Sequence, residues 1–194
     1  MFHTISNSFI DDLVEDYNKV QMMILPEEPT IAQHLSVQLT KILVLTCASY
    51  YEQELQNTYI AYAELQADLF GDKPHGFALD KKDKSIYQKF EFGRIENSED
   101  NKQLPDTKNM LKPLRSFGEK FFQKIYTEVE GNIEKERQLK AFQELFVIRN
   151  LLAHQTFVEF NSNMIRGKSF IDIKKLHEDA IQFVEYLKSQ FPIN

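Results

Sequence analysis

Apolar residues recur every three or four positions over most of this chain. Ile10, Leu13, Val14, Tyr17, Val20 and Ile24 form the first such series, and Pro26 comes directly after it. The spacing predicts an amphipathic helix over residues 8–25. Pro26-Glu27-Glu28-Pro29 then reads as a stiff turn, with Thr30 placed to cap a second helix. Residues 32–69 contain neither Gly nor Pro, and Leu35, Leu39, Leu43, Cys47, Tyr51 and Leu55 give them a broad apolar face. One long helix is expected here, ending near Phe70-Gly71.

The pattern changes after Gly71. Residues 71–110 hold Gly71, Pro74, Gly76, Gly93 and Pro105 and a polar run over 96–102, so they read as a long, loop-rich insertion. Helical periodicity resumes over 111–129 with Leu114, Phe117, Phe121, Phe122 and Ile125, and Gly131 breaks it. Residues 133–160 form a second long helical candidate, through Leu139, Phe142, Leu145, Phe146, Ile148, Leu152 and Val158. A short hairpin over 157–170 is the one alternative to a turn there. Residues 171–191 make the closing helix, and Pro192 stops it. The expectation is an all-α, single-domain chain over 1–194, with about five helices and no convincing strand.

Composition narrows the class. The 194 residues suffice for one sizeable core, and 42% hydrophobic with 27% charged residues is a globular balance. Net charge is -6, which argues against binding long duplex DNA by bulk attraction but leaves room for a small phosphate clamp. Cys47 is the sole cysteine, so no internal disulfide can form. The N-terminus lacks the pattern of a secretory signal, and the longest unbroken apolar run, residues 42–48, is too short to span a bilayer. A cytoplasmic protein without membrane attachment is expected. Within the insertion, residues 81–94 carry a local charge of +3 with Tyr87, Phe90 and Phe92 interleaved. That mixture suits single-stranded nucleic acid, although an ordinary surface insertion is the simpler reading.

The candidate chemistry sits late in the chain, in Arg149-Asn150-Leu151-Leu152-Ala153-His154. On a helix Asn150 and His154 share a face, roughly 40° apart, while Arg149 stands roughly 140° from His154 and must reach around. A guanidinium matches phosphate oxygens, and an imidazole moves protons near neutral pH. RNA cleavage needs a base for the 2′-hydroxyl, an acid for the leaving 5′-oxygen and a cation for the phosphate. His154 and Arg149 supply these types, with Asn150 to fix either by hydrogen bonding. The same residues also fit a packed helix whose histidine merely bonds a carbonyl. One copy makes a sparse site; two copies about a two-fold axis would bring two Arg and two His together. No zinc spacing, phosphate-binding glycine loop or serine nucleophile elbow is present, so no metal or cofactor is expected.

This hexapeptide resembles the Arg-Asn-x-x-x-His motif of the HEPN superfamily of all-helical ribonucleases and RNA-binding domains. A second string, Leu43-Val44-Leu45-Thr46-Cys47-Ala48-Ser49-Tyr50-Tyr51-Glu52, is similar to the apolar helix ending in an aromatic-Glu pair of the RiboL-PSP and restriction-system-associated branches. The resemblance covers about residues 32–191. It implies a HEPN-like helical bundle that dimerises with the motifs facing across a cleft. It further implies metal-independent cleavage of single-stranded RNA, leaving a 2′,3′-cyclic phosphate. By this resemblance Arg149 and His154 are the catalytic pair, Asn150 supports them, and Glu52 is an acidic group that orients Arg149 or His154. Glu52 reads equally well as a solvated helix residue. Partners implied are RNA, a second copy of the chain, and an antitoxin or restriction-system protein in phage defence. Two features depart from the pattern. Thr156 stands where toxins paired with nucleotidyltransferase antitoxins commonly carry Tyr, and the 71–110 insertion has no counterpart. Loss of activity within the superfamily leaves a second expectation open, a non-catalytic RNA-binding or protein-interaction scaffold.

Overall fold

The computed structural model describes residues 7–70, 107–154 and 167–192. The described residues form six α-helices and no strand: α1 (Asn7–Lys19), α2 (Pro29–Phe70), α3 (Thr107–Leu111), α4 (Glu119–Glu130), α5 (Ile133–His154) and α6 (Phe170–Ser189). The basic-aromatic segment 81–94, most of the insertion, Thr156 and the hairpin alternative lie outside the described residues.

Sequence periodicity places most of these helices but not all of their ends. α1 runs into a π-helical turn, Val20–Ile24, closed by Leu25 N–H donating to the Val20 carbonyl at 3.1 Å. α2 begins at Pro29, ahead of the expected residue 32, because a proline at the first helical position has no N–H to leave unpaired. The expected single helix over 111–129 is instead three pieces: α3, a 3-10 segment Lys112–Phe117, and α4. Gly118 makes the break at φ 108°, a conformation that a side chain disfavours. α5 opens on Asn132, whose Oδ1 accepts from the Glu134 and Lys135 N–H groups at 3.0 and 3.1 Å. α6 opens on a capping box. Asp172 N–H donates to Ser169 Oγ at 3.2 Å, and Ser169 N–H donates to Asp172 Oδ2 at 2.9 Å.

α5 and α6 pack along each other, and α2 lies across both. The fully buried side chains between them include Tyr51, Phe142, Phe146, Phe170 and Phe183. α1 closes one side, where Tyr17 stacks on Phe170 at 4.0 Å between ring centres. A second aromatic cluster (Tyr59, Tyr62, Phe117 and Phe191) ties the far part of α2 to the end of α6 and to the 3-10 segment. By length and composition, Pro29–Tyr62 is apolar enough to cross a membrane, with mean hydropathy 1.2, although its longest unbroken apolar run is short. Much of that apolarity faces protein, since α2 is buried against α1, α5 and α6 over its central turns.

One polar contact joins α2 to α6 inside this core. The Tyr51 hydroxyl donates to the His177 carbonyl at 3.2 Å and stands in a short hydrogen bond with His177 Nδ1. All three groups are satisfied if Nδ1–H donates to the phenol oxygen while the phenol O–H donates to the carbonyl. Burial lowers the His177 pKa from 6.5, against the attraction of Glu178 and Asp11 and with the repulsion of Lys174. Burial likewise raises the Tyr51 hydroxyl far above its ordinary value.

The core makes two stability predictions. Phe183→Ala should lower unfolding free energy by about 3–5 kcal/mol, read from urea titration with an unchanged slope, because the cavity between α5 and α6 cannot collapse fully. His177 binds its proton more readily unfolded than folded, so its contribution is complete above about pH 6.5 and falls as pH drops through the lowered folded value. Urea midpoints should therefore decline between about pH 7 and pH 5, and His177→Gln should flatten that decline. An unchanged decline in the variant would assign the slope to other groups.

Candidate active site

Three of the four candidate residues come together in the structure. Arg149 and Asn150 lie on the last two turns of α5, and Glu52 lies on α2. Arg149 Nη2 donates to Glu52 Oε2 at 2.9 Å, and Arg149 Nη1 donates to Asn150 Oδ1 at 3.0 Å. The guanidinium is thus held on two sides, by the carboxylate of another helix and by the carboxamide oxygen of its own neighbour, both accepting from a cationic donor. His154 is the final residue of α5, and its side chain lies outside the described part of the protein.

The exposure of this pair matters for its chemistry. The Arg149 and Glu52 side chains are 32% and 28% exposed, so the ion pair lies half in protein and half in solvent. A wholly exposed pair would have little orienting force, and a wholly buried one could not meet a ligand. Each bond that Arg149 makes uses one N–H of a terminal nitrogen. The second hydrogen on each nitrogen, together with Nε–H, is the planar donor set that a phosphate takes.

The reach of Arg149 to Glu52 depends on how α2 and α5 pack. Phe142 lies two turns before Arg149 on α5, and its ring meets that of Tyr51 at 5.9 Å. Tyr51 and Glu52 are consecutive, so the buried ring contact sets the height at which the carboxylate meets the guanidinium. Two residues further, Glu54 Oε2 accepts from Lys188 Nζ of α6 at 2.7 Å. Lys188 also donates to Glu185 at 3.1 Å, and these carboxylates raise its pKa although its own partial burial opposes them. Nothing in the sequence singles out His177 or Lys188 for these contacts. Their partners lie 126 and 134 residues away, beyond any local spacing rule.

Other polar groups are arranged as packing. Glu128 takes the Tyr186 hydroxyl at 2.9 Å, while Lys135 lies 3.3 Å from Glu128 and 4.0 Å over the Tyr186 ring. Lys168 is paired with Glu144 at 2.9 Å and Lys174 with Glu178 at 3.4 Å. Cys47 is buried, and its thiol is pushed up to about 12, so it is no nucleophile at neutral pH. Among the described residues no cluster of three or more His, Cys, Asp or Glu is set to hold a metal ion.

No curated protein and no solved structure matches the chain significantly. The family model described as RiboL-PSP-HEPN matches residues 6–192, which takes in all six helices and the whole Arg149–His154 segment. With nearly the full chain matched and an all-helical fold beneath it, this protein belongs to the RiboL-PSP branch of the HEPN superfamily.

Proposed function

We propose that this protein is a metal-independent endoribonuclease that cleaves single-stranded RNA as a homodimer, in a phage-defence or toxin–antitoxin setting. The supporting observation is the two-sided hold on Arg149, by Glu52 from α2 and Asn150 from α5, on the helix that ends in His154. A guanidinium fixed before substrate arrives needs no reorganisation as charge builds on phosphorus. Family membership is the second support, because the superfamily joins ribonucleases with RNA-binding domains.

The reaction needs only groups of this kind. A histidine takes the proton of the ribose 2′-hydroxyl, and the freed oxygen attacks the adjacent phosphorus. The bond from phosphorus to the 5′-oxygen breaks, and that oxygen is protonated by an imidazolium. The products are a 2′,3′-cyclic phosphate and a 5′-hydroxyl, and no water or metal is consumed. Arg149 binds the non-bridging oxygens and stabilises the pentavalent charge. Glu52 and Asn150 act through Arg149, as positioning residues. Each chain carries one His154 for two proton transfers, so a second copy across a shared cleft completes the acid–base pair. An antitoxin or restriction-system protein would be the regulatory partner.

The reading is tested by incubating the purified protein with single-stranded RNA in EDTA. Cleavage is expected, with 2′,3′-cyclic ends. Arg149→Ala and His154→Ala should each lower kcat by about 10²–10³-fold or more. Glu52→Gln should lower kcat by a smaller factor, about tenfold, with KM nearly unchanged, because it loosens the guanidinium without removing it. RNA retained on the protein without any turnover would move the assignment to a non-catalytic scaffold of the same fold.

A further inference from the structure

The corner where α1 passes into α2 carries exposed apolar side chains that neither the core nor the active-site chemistry uses. Met22 and Met23 are 78% and 71% exposed, and Leu25 and Ile31 are 41% and 50% exposed. The two methionines belong to the π-helical turn, Leu25 follows it, and Ile31 is in the first turn of α2. The inner side of the same corner is packed. Val20 and Ala32 are buried, and Gln21 Nε2 donates to Ser36 Oγ at 2.9 Å. Glu28 N–H donates to the Ile24 carbonyl at 2.8 Å, and the Glu28 carbonyl accepts from Ala32 N–H at 2.9 Å. The corner is thus fixed by its own contacts, and these four side chains face out from a built surface. Large apolar side chains gathered in the open mark an interaction site. A pair of thioethers suits one, because the unbranched methionine chain adapts to what lies against it.

Charge selects the partner. Residues 7–31 hold Asp11, Asp12, Glu15, Asp16, Glu27 and Glu28 against Lys19, a local charge of -5 where the whole chain has -6. All six carboxylates are exposed. The one lysine is already matched, by Glu15 at 2.9 Å and Asp16 at 3.4 Å. At helical spacing Asp12, Asp16, Lys19 and Met23 share one face of α1 and its continuation, with Glu15 and Met22 beside them. That face passes from carboxylates to thioethers over about 17 Å, or about three helical turns.

We propose that this face docks a basic amphipathic helix of a partner protein. The partner's apolar side chains lie on Met22 and Met23, and its lysines or arginines lie along Asp12 and Asp16. Such a helix meets both halves of the face at once. The same carboxylates disfavour the other occupants. An anionic lipid surface and a nucleic acid carry charge of the same sign. A second copy of the chain would set this face against its own like charge. The surface lies about 30 Å along α2 from Glu52, so a helix seated there does not cover the Arg149–Glu52 pair. The proposal therefore stands apart from the ribonuclease reading. A contact of this size is weak and weakens further with salt, because exposed charges supply part of it.

The probe is a short fluorescent peptide of lysine and leucine at helical amphipathic spacing, titrated into the full chain and followed by anisotropy. A scrambled peptide of the same composition is the control for charge alone. The amphipathic peptide should bind, and the scrambled one should bind at least about tenfold more weakly. The double variant Met22→Gln, Met23→Gln keeps the charge and the helix propensity, so its circular dichroism should be unchanged. It should lose about tenfold or more in affinity for the amphipathic peptide. In a methyl-labelled chain, the Met22 and Met23 signals should shift on binding while that of Met110, which is 4% exposed, stays in place. Equal binding by the double variant or by the scrambled peptide would reduce the contact to bulk attraction and overturn the proposal. So would no binding at low salt, or shifts confined to other methyl groups. Vesicles of phosphatidylserine and phosphatidylcholine should leave the chain in solution. Co-sedimentation that the double variant abolishes would give the face to lipid and overturn the docked helix.

Discussion

One turn of α2, from Tyr51 to Glu54, holds the architecture together and supports the site at the same time. Tyr51 presents its ring to Phe142 of α5 and its hydroxyl to His177 of α6. Glu52 then takes Arg149 of α5, and Glu54 takes Lys188 of α6. Three helices far apart in sequence meet within four residues of one of them. The burial of Tyr51 supplies the non-directional force, and its hydroxyl must then be satisfied where it lies, which fixes one relative height for α2 and α6. The carboxylate beside it inherits that height. The guanidinium is therefore positioned by a core contact and not by its own flexible chain.

This division leaves one cation of an acidic protein in the position that the proposed phosphate contact requires. Among the described residues, several lysines and arginines are matched to nearby carboxylates, as in Lys140 with Glu136 or Arg137 with Asp179. Such exposed pairs contribute little to stability. The pair at Arg149 is half-buried, as are Lys168–Glu144 and Lys188–Glu54, and what sets it apart is a planar guanidinium held on two sides whose outer hydrogens stay available. Glu52 offsets part of the charge that a phosphate would feel. In return it removes the entropy cost of ordering a long side chain at the moment of binding.

Much of the fold is legible in the chain. Periodic apolar positions mark α1, α2, α5 and α6, since a helix that buries one side must repeat its apolar residues at that period. The break at Gly118 is not, because Leu114, Phe117 and Phe121 keep a helical rhythm across it. Each is accommodated separately, Leu114 in the core and Phe117 in the Tyr59–Phe191 cluster. Spacing alone cannot separate one helix from two short ones that both feed the same core. The start of α2 is hidden for a different reason, since Pro29 reads as a breaker until it is recognised as a first helical residue.

The sequence by itself determined the helical class, the grouping of Arg149, Asn150 and His154 on one segment, and, through the likeness of two short strings, the family. These are local properties, since spacing along one helix is set by its own backbone geometry. Only the tertiary structure decided that Glu52, 97 residues before Arg149, is its partner, that Tyr51 and His177 meet in the core, and that Glu54 takes Lys188 of α6. Each of these depends on the angle and height at which helices pack. Packing is fixed by the fit of many buried side chains together, which no single window of sequence contains.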